Sequence, residues 1–351
     1  MGLAMNLYSI LERAAGRWPE KTALVHAGRA IAYRELDAAA GSLAARLVQS
    51  GVRPGDKVAI MCPRSAEFVA AFFAVLRAGA IAVTVPPELK AGEVAALAEV
   101  MLPDAFCYGA EFAARVPGGR GAEGAAIFDG GTPLCVRLAA ARATPQSERD
   151  RLGALDLACI AFSSGTSARA KGILFSHRSL FERAELCRAA GLITGASSLL
   201  WLLALNRVPY QICFSIMIGA KVVIADSVDT GAVPRLIREH AVDQVYAGPL
   251  FYRLIVQDAP APEDIQNVKY FFSLGSALPE AAAAAFRAAL GREILQWYAL
   301  TELSPVLGNI SEEPAKRGSV GKVAPGRELK LAGDPSEAGG QAAGEVLIRG
   351  P

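Results

Sequence analysis

Several common signatures are missing from this sequence of 351 residues. Its six cysteines form no CxxC pair, which argues against a zinc site or a disulfide framework and favours reduced thiols in a cytoplasmic protein. The net charge is only +2, so the charge balance predicts neither a nucleic-acid partner nor an anionic membrane. The nearest approach to a membrane span, residues 191–205, is too short, and no export signal opens the chain. We therefore predict no membrane insertion.

The rest of the composition predicts a large folded core. Apolar residues make up 52 % of the chain, and its length predicts two or more structural units. Short apolar runs alternate with stretches of helical periodicity, which predicts an α/β protein with parallel, doubly wound sheets. Predicted strands include 22–25, 30–33, 57–61, 80–85, 157–162, 220–225, 244–247, 268–274 and 294–298, and predicted helices include 7–17, 36–48, 66–76, 180–190, 232–240 and 279–290.

The pattern also predicts internal boundaries. Between 115 and 151 the sequence loosens into Gly, Ala, Arg and Pro, which indicates a boundary near residue 150. The end of the chain is Gly-rich with short alternating segments that predict small β-hairpins. We predict a first α/β subdomain over 1–150, a second over 151–300, and a β-rich segment over 301–351.

One stretch concentrates small hydroxyl residues, glycine and a lysine between two apolar runs. It covers residues 162–173 and reads FSSGTSARAKGI. A Ser/Thr/Gly-rich loop held between strands can direct N–H and hydroxyl donors toward an anion, and Lys171 adds positive charge. The alternative is an ordinary surface turn, because the same residues dominate turns for conformational reasons. A P-loop is excluded, since the second glycine and the following hydroxyl are missing and no helix opens after the loop.

Compared as a whole, this stretch resembles the signature of the adenylate-forming superfamily, which comprises acyl-CoA synthetases, aryl-acid ligases, luciferases and peptide-synthetase adenylation domains. Ala168 and Ala170 stand where that signature usually has Gly and Pro. Further stretches resemble family elements in the same order, namely 51–58, 176–180, 275–279, 297–302, 318–322 and 344–350, with Ala299 in place of a usual Gly. The resemblance covers nearly the whole chain and implies two doubly wound αβα subdomains with a small β-barrel-like C-terminal part.

The resemblance implies roles for individual residues. ATP would be bound by Ser163, Ser164, Gly165, Thr166, Ser167, Lys171, Gly275, Ser276, Ala277, Trp297, Tyr298, Ala299 and Thr301. The catalytic residues would be Lys171, Thr301 and Glu302, with Glu302 and Thr166 holding Mg²⁺. Taken singly, Glu302 would more often be a helix-end carboxylate and Tyr298 a core aromatic, whereas the motifs together favour the functional roles. His177 is expected to support the loop, whereas His26 and His240 are expected at the surface or in packing.

The implied reaction is activation of a carboxylic acid as acyl-AMP, followed by transfer to CoA or a carrier-protein thiol. The substrate pocket is predicted from Asn206, Tyr210, Tyr246, Ala247, Gly248 and Ser276. No acid follows where amino-acid-activating relatives carry an aspartate, and an unpaired buried ammonium would be costly, so an acyl or aryl acid without an α-amino group is favoured. An amino-acid adenylation domain and a non-catalytic nucleotide- or acyl-binding module remain alternatives. The family's C-terminal lid domain, with its catalytic lysine, is expected beyond residue 351.

Overall fold

The computed structural model describes residues 6–119, 121–139, 156–163, 171–189, 193–203, 209–225, 229–258, 260–308, 317–332 and 344–350. The helices are α1 Ser9–Arg17, α2 Tyr33–Gln49, α3 Ala66–Arg77, α4 Ala91–Met101, α5 His177–Ala189, α6 Pro209–Ile218, α7 Val233–Glu239, α8 Pro249–Asp258, α9 Pro262–Ile265 and α10 Glu280–Leu290. The strands are β1 Thr22–His26, β2 Arg29–Ala32, β3 Lys57–Met61, β4 Ile81–Thr84, β5 Ala105–Gly109, β6 Gly121–Ala125, β7 Leu134–Leu138, β8 Leu157–Ser163, β9 Lys171–Ser176, β10 Ser198–Trp201, β11 Lys221–Ile224, β12 Gln244–Ala247, β13 Tyr270–Ser273, β14 Ile294–Leu300, β15 Ser304–Gly308, β16 Lys322–Val323, β17 Glu328–Ala332 and β18 Glu345–Arg349. None of these described helices has the length and apolar character needed to cross a membrane.

The chain divides into two compact units. Unit 1 comprises Met1–Ala184, Thr194–Ala196 and Ala204–Ser227, and unit 2 comprises Glu185–Ile193, Ser197–Leu203 and Val228–Pro351. The predicted boundary near residue 150 lies in the range 140–155, outside the described residues.

Unit 1 contains a seven-stranded sheet in the order β6-β7-β5-β3-β4-β8-β9. Its centre, β5-β3-β4-β8, is parallel, as the alternating pattern predicts. Strands β1 and β2 form the predicted hairpin, and β1 also pairs in parallel with β11. The hairpin turn places Ala27 and Gly28 at φ +49° and +75°, the left-handed pair that two-residue hairpin turns require.

Helix α3 explains why one stretch of unit 1 is apolar around most of its circumference. Every residue from Ala66 to Leu76 is buried, and the helix contacts β3, β4 and β1. The Ser65 hydroxyl accepts a hydrogen bond from the Phe68 N–H (3.2 Å) and caps the start of the helix. Helix α3 also packs extensively against α2, and a helix covered by a neighbouring helix on one side and by strands on another loses the polar face that a surface helix keeps.

Six of the described strands of unit 2 are hydrogen-bonded neighbours in the order β16-β15-β14-β13-β12-β10. Strands β10, β12, β13 and β14 run parallel, and β15 and β16 add antiparallel to β14. Aromatic residues of α8 and α10 pack on β13, with the Phe286 ring 5.1 Å from that of Phe271 and 5.4 Å from that of Tyr252. Strands β17 and β18 form a separate antiparallel pair.

Two findings differ from the prediction. The predicted loose segment 115–151 contains β6 and β7, which extend the sheet: β7 pairs antiparallel with β5, and β6 pairs antiparallel with β7. Their sequences carry little alternation, and this backbone pairing defines them instead. The strands on either side of the Ser/Gly loop, β8 and β9, belong to unit 1 because β8 pairs with β4. The predicted subdomain over 151–300 groups β8 and β9 instead with the later strands of unit 2.

Candidate functional site

The Ser/Gly loop leaves and rejoins the sheet of unit 1 at paired residues. Strands β8 and β9 are antiparallel, with Ser163 opposite Lys171, so the predicted strands on either side of the loop are confirmed. Ser164, Gly165, Thr166 and Ser167 lie outside the described residues, and only the backbone is described for Ser163 and Lys171. The pairing of Ser163 with Lys171 therefore holds the two ends of the loop next to each other in the sheet.

Tight packing surrounds the return strand β9. A Cβ at Gly172 would come within 3.3 Å of Ile160 Cγ2 and 3.6 Å of Phe162 Cε1. The next helix begins at His177, whose buried imidazole Nδ1 accepts a hydrogen bond from the Leu7 N–H (3.0 Å). Burial lowers the pKa of His177, with the nearby Asp156 carboxylate acting in the opposite direction. A neutral His177 therefore anchors the N-terminal segment at the end of β9 away from the loop, so the prediction that it supports the loop is wrong.

In unit 2, three predicted groups lie at one edge of the sheet. Ala247, Ser273 and Gln296 are register partners on the parallel strands β12, β13 and β14. The predicted groups at 246–248, 275–277 and 297–302 therefore lie near the carboxyl ends of three adjacent strands. Open α/β sheets bind ligands at this edge.

The predicted adenine-side loop is held at both ends. The Leu274 N–H donates to the Ala247 carbonyl (3.1 Å), and the Leu278 N–H donates to Gln296 Oε1 (3.1 Å). Leu274 and Leu278 are buried, whereas Gly275, Ser276 and Ala277 between them are exposed. Gly275 has φ +95°, a conformation that glycine adopts without strain. The loop presents an exposed backbone in a fixed position.

Thr301 and Glu302 lie in a hairpin turn. Strand β14 ends at Leu300 and pairs there with Ser304, the first residue of β15. The Leu303 N–H closes the turn on the Leu300 carbonyl (3.2 Å). Thr301 is half-buried and Glu302 is exposed. Glu302 is therefore a turn carboxylate at the carboxyl edge of the sheet, and the helix-end alternative does not apply.

Tyr246, predicted in the substrate pocket, is packed in a row of aromatic rings. Its ring lies 5.2 Å from that of Trp201 and 4.9 Å from that of Phe272, and its hydroxyl is 2.9 Å from Gln244 Oε1. Phe272 in turn contacts Trp297, at 4.9 Å. This row links two residues predicted for different subsites, and it includes Trp201, which the sequence does not single out.

The other predicted pocket residues are described to different degrees. Ala247 is buried, Gly248 is half-buried and Ser276 is exposed. Asn206 lies outside the described residues, and only the backbone of Tyr210 is described, in α6. Tyr298 and Ala299 are half-buried, and a register shift in the β14–β15 ladder falls between them.

Two contacts beside the predicted site carry no signal in the sequence. Gln296 accepts the hydrogen bond that holds the adenine-side loop, and Arg327 Nη2 donates to the Leu303 carbonyl (2.6 Å) in the Thr301–Glu302 turn. Gln296 is a half-buried polar residue within a strand, and nothing in the surrounding sequence marks it as a partner of the loop. Arg327 contacts a residue 24 positions earlier in the chain, and no local sequence pattern predicts such a contact.

Mg²⁺ fits the donors present in the described part of the chain. No group of three or more His, Cys, Asp or Glu side chains there could hold a metal ion. One exposed carboxylate, Glu302, lies at the turn. Mg²⁺ is commonly bound by one or two carboxylates together with phosphate oxygens, so Glu302 suits an ion that arrives with a nucleotide.

Together the fold and the strand-end turns define an α/β protein with loops at the carboxyl ends of its parallel strands. The chain belongs to the AMP-binding enzyme family, whose family model matches residues 11–351. Both the predicted family and the mixed α/β fold are confirmed.

Acid–CoA ligases are among its relatives. It is 29 % identical to 4-coumarate–CoA ligase 3 of Oryza sativa subsp. japonica over 354 residues, covering 92 % of this chain and 62 % of the relative. It is 28 % identical to the long-chain-fatty-acid–CoA ligase FadD13 of Mycobacterium tuberculosis (strain ATCC 25618 / H37Rv), covering 90 % of this chain and 64 % of the relative. The chain thus spans less than two thirds of the length of either relative.

A solved structure shares the fold. ATP-bound MatB from Rhodopseudomonas palustris superposes with a TM-score of 0.79 at 23 % identity, covering 99 % of this chain and 70 % of that chain.

Proposed function

We propose that the protein activates a carboxylic acid with ATP and passes the acyl group to the thiol of CoA or of a carrier protein. A carboxylate oxygen of the acid attacks the α-phosphorus of ATP, and the bond between that phosphorus and the bridging oxygen of pyrophosphate breaks. The products are the acyl-adenylate and pyrophosphate. In a second step the thiol sulfur attacks the acyl carbon, and AMP leaves.

One observation carries the proposal: adjacent parallel strands of unit 2 end in the exposed 275–277 loop and in the Thr301–Glu302 turn. We assign the adenine to the loop together with Tyr298, and the α-phosphate to Thr301. The fixed backbone ends of the loop favour this assignment, because a binding surface that is already ordered loses little entropy when the ligand arrives.

In unit 1 we assign the β- and γ-phosphates to the Ser163–Ser167 loop and to Lys171. Supporting this assignment, β8 and β9 bring the two ends of the loop together. Glu302 and Thr166 would hold Mg²⁺, which when bound neutralises phosphate charge and so favours departure of pyrophosphate.

No general base is needed for the first step. A carboxylic acid with a pKa of about 4 is already ionised at neutral pH and can attack directly. The chain's residues would therefore act by positioning the two reactants and by offsetting charge at the phosphates. We propose an acyl or aryl acid without an α-amino group, because the region after β10 carries no carboxylate for an ammonium.

Carboxylate-dependent exchange of pyrophosphate into ATP tests the proposal. A panel of aryl, short-chain and long-chain acids and amino acids should give exchange with acids that lack the α-amino group. Exchange only with amino acids would replace the favoured substrate class with the amino-acid alternative. ATP binding without exchange for any acid would favour the non-catalytic binding module.

A further inference from the structure

The hairpin turn that carries Thr301 and Glu302 is short and exposed. Within the turn, the Leu303 N–H donates to the Leu300 carbonyl (3.2 Å), and the Leu300–Ser304 pair closes it from the strands. A contact that immobilises Leu303, the last residue of the turn, also restricts Glu302, because the two residues are adjacent in the chain.

Arg327 makes such a contact. Its guanidinium Nη2 donates to the Leu303 carbonyl at 2.6 Å, and the residue is only 8 % exposed. Hydrogen bonds from a charged donor are about twice as strong as neutral ones. A buried arginine is also costly unless it is well partnered, which implies that this side chain is held where it is.

The backbone around Arg327 places its guanidinium near the Leu303 carbonyl. Arg327 ends a turn in which its N–H donates to the Ala324 carbonyl (3.1 Å) and Gly326 adopts φ +73°. Gly350 passes so close that a Cβ there would lie 2.5 Å from Arg327 Nη1 and 2.6 Å from Arg327 Cδ. Gly350 therefore leaves the room that the arginine side chain occupies.

We propose that Arg327 is a positioning residue for nucleotide activation, holding the Thr301–Glu302 turn in the conformation that meets the α-phosphate and Mg²⁺. This inference rests on the proposed function. Arg327 acts through the Leu303 carbonyl and touches neither substrate nor metal. Its loss should therefore weaken the metal-dependent part of nucleotide binding more than the metal-independent part.

The test compares Arg327→Met, Arg327→Lys and Arg292→Met in the full chain. Arg292 is a matched control, because its guanidinium also donates to backbone carbonyls, those of Val268 and Lys269, but before the start of β13. Calorimetry with ATP over a range of Mg²⁺ concentrations measures the metal dependence. Hydrogen exchange of the backbone amides in 300–304 measures the turn itself.

We expect Arg327→Met to raise the Mg²⁺ concentration for half-maximal ATP binding about tenfold, as loss of a group that orients a metal ligand commonly does. ATP binding without Mg²⁺ should change less than about twofold, and amides 300–304 should exchange faster. Arg327→Lys should recover part of the effect, and Arg292→Met should behave as wild type. Gly350→Ala, which displaces the arginine side chain, should reproduce the Arg327→Met result.

Two results would overturn the proposal in distinguishable ways. Equal Mg²⁺ dependence in Arg327→Met and Arg292→Met, with normal wild-type binding, would make Arg327 merely structural. Absence of ATP binding by the wild-type chain would remove the proposed function and this role together.

Discussion

His177, at the end of β9 opposite to the predicted nucleotide loop, illustrates how burial determines the charge of one residue. Its Nδ1 accepts a hydrogen bond from the Leu7 N–H, which requires that nitrogen to be unprotonated. Burial lowers its pKa, so the folded protein keeps the ring neutral at pH values where an exposed histidine is charged.

The first prediction concerns stability at low pH. The unfolded chain protonates this histidine near pH 6.5, whereas the folded chain does so only at lower pH, so its stabilising contribution is full above about pH 6.5 and declines below it. His177→Asn retains a side-chain acceptor but does not titrate. As pH falls from about 7 to 5, wild type should lose stability relative to this variant, by up to about 1.4 kcal/mol per pH unit. Urea unfolding at each pH measures the difference, and parallel pH profiles would contradict the assignment.

A second prediction at this scale concerns Lys171. If its ammonium meets the β- and γ-phosphates, Lys171→Ala should weaken ATP binding about tenfold or more, because a charge-assisted contact of about 1.5–3 kcal/mol is lost. Lys90→Ala, an exposed lysine at the start of α4, serves as the control. Calorimetry with ATP and Mg²⁺ measures both variants. Equal affinities would argue against a phosphate-binding loop.

At the scale of elements, packing of α8 and α10 on β13 holds the adenine-side loop in place. The loop follows β13 directly and leads into α10, and the Tyr252 hydroxyl of α8 donates to the Phe272 carbonyl of β13 (2.7 Å). Phe286 is fully buried against Phe271 and Tyr252. A change at this ring therefore affects the helices and the strand together.

A third prediction follows for Phe286→Ala. The variant should lower the free energy of unfolding by about 3–5 kcal/mol, because the lost ring leaves a cavity that three elements cannot close. Ala289→Ser, exposed on the same helix, should change it by less than about 0.5 kcal/mol. Denaturant unfolding measures both, and a loss below about 1 kcal/mol for Phe286→Ala would indicate that the helices repack.

The sequence predicts whether a segment forms a helix or a strand better than it predicts which strands pair with each other. Helix α3 and the β1–β2 hairpin follow from apolar periodicity and turn residues, which act over a few positions. Helix α2 begins at Tyr33, three residues before the predicted start, and Tyr33 is buried with its hydroxyl 2.8 Å from the Ala220 carbonyl. Strands β6 and β7 were missed because their pairing, and little in their sequence, defines them.

At the scale of the whole molecule, burial accounts for most of the cysteines, which are scattered along the sequence without a paired motif. All six are unpaired, and Cys62, Cys107, Cys159 and Cys213 are buried. Burial raises the pKa of each of these four thiols, to about 12 for Cys107. These thiols therefore contribute as small apolar groups in the core.

The fourth prediction is slow alkylation of the native protein. Iodoacetamide at pH 8 should leave those four thiols unmodified over the time in which Cys135 reacts, because the four sulfur atoms are buried away from the reagent whereas Cys135 is only half-buried. All six should react in urea. Mass spectrometry of digested samples identifies the modified sites, and rapid native labelling of any of the four would contradict their burial.

By itself the sequence determined the alternation of strands and helices and the ordered motifs of the AMP-binding family, because hydrophobic period, turn chemistry and motif spacing are properties of neighbouring residues. Only the tertiary structure decided that β8 pairs with β4, which places the Ser/Gly loop in unit 1. It alone also placed Arg327 against the Leu303 carbonyl, beside the turn that carries Glu302. These contacts join residues far apart in the chain. Their partners are selected by the packing of the whole core, which no local pattern encodes.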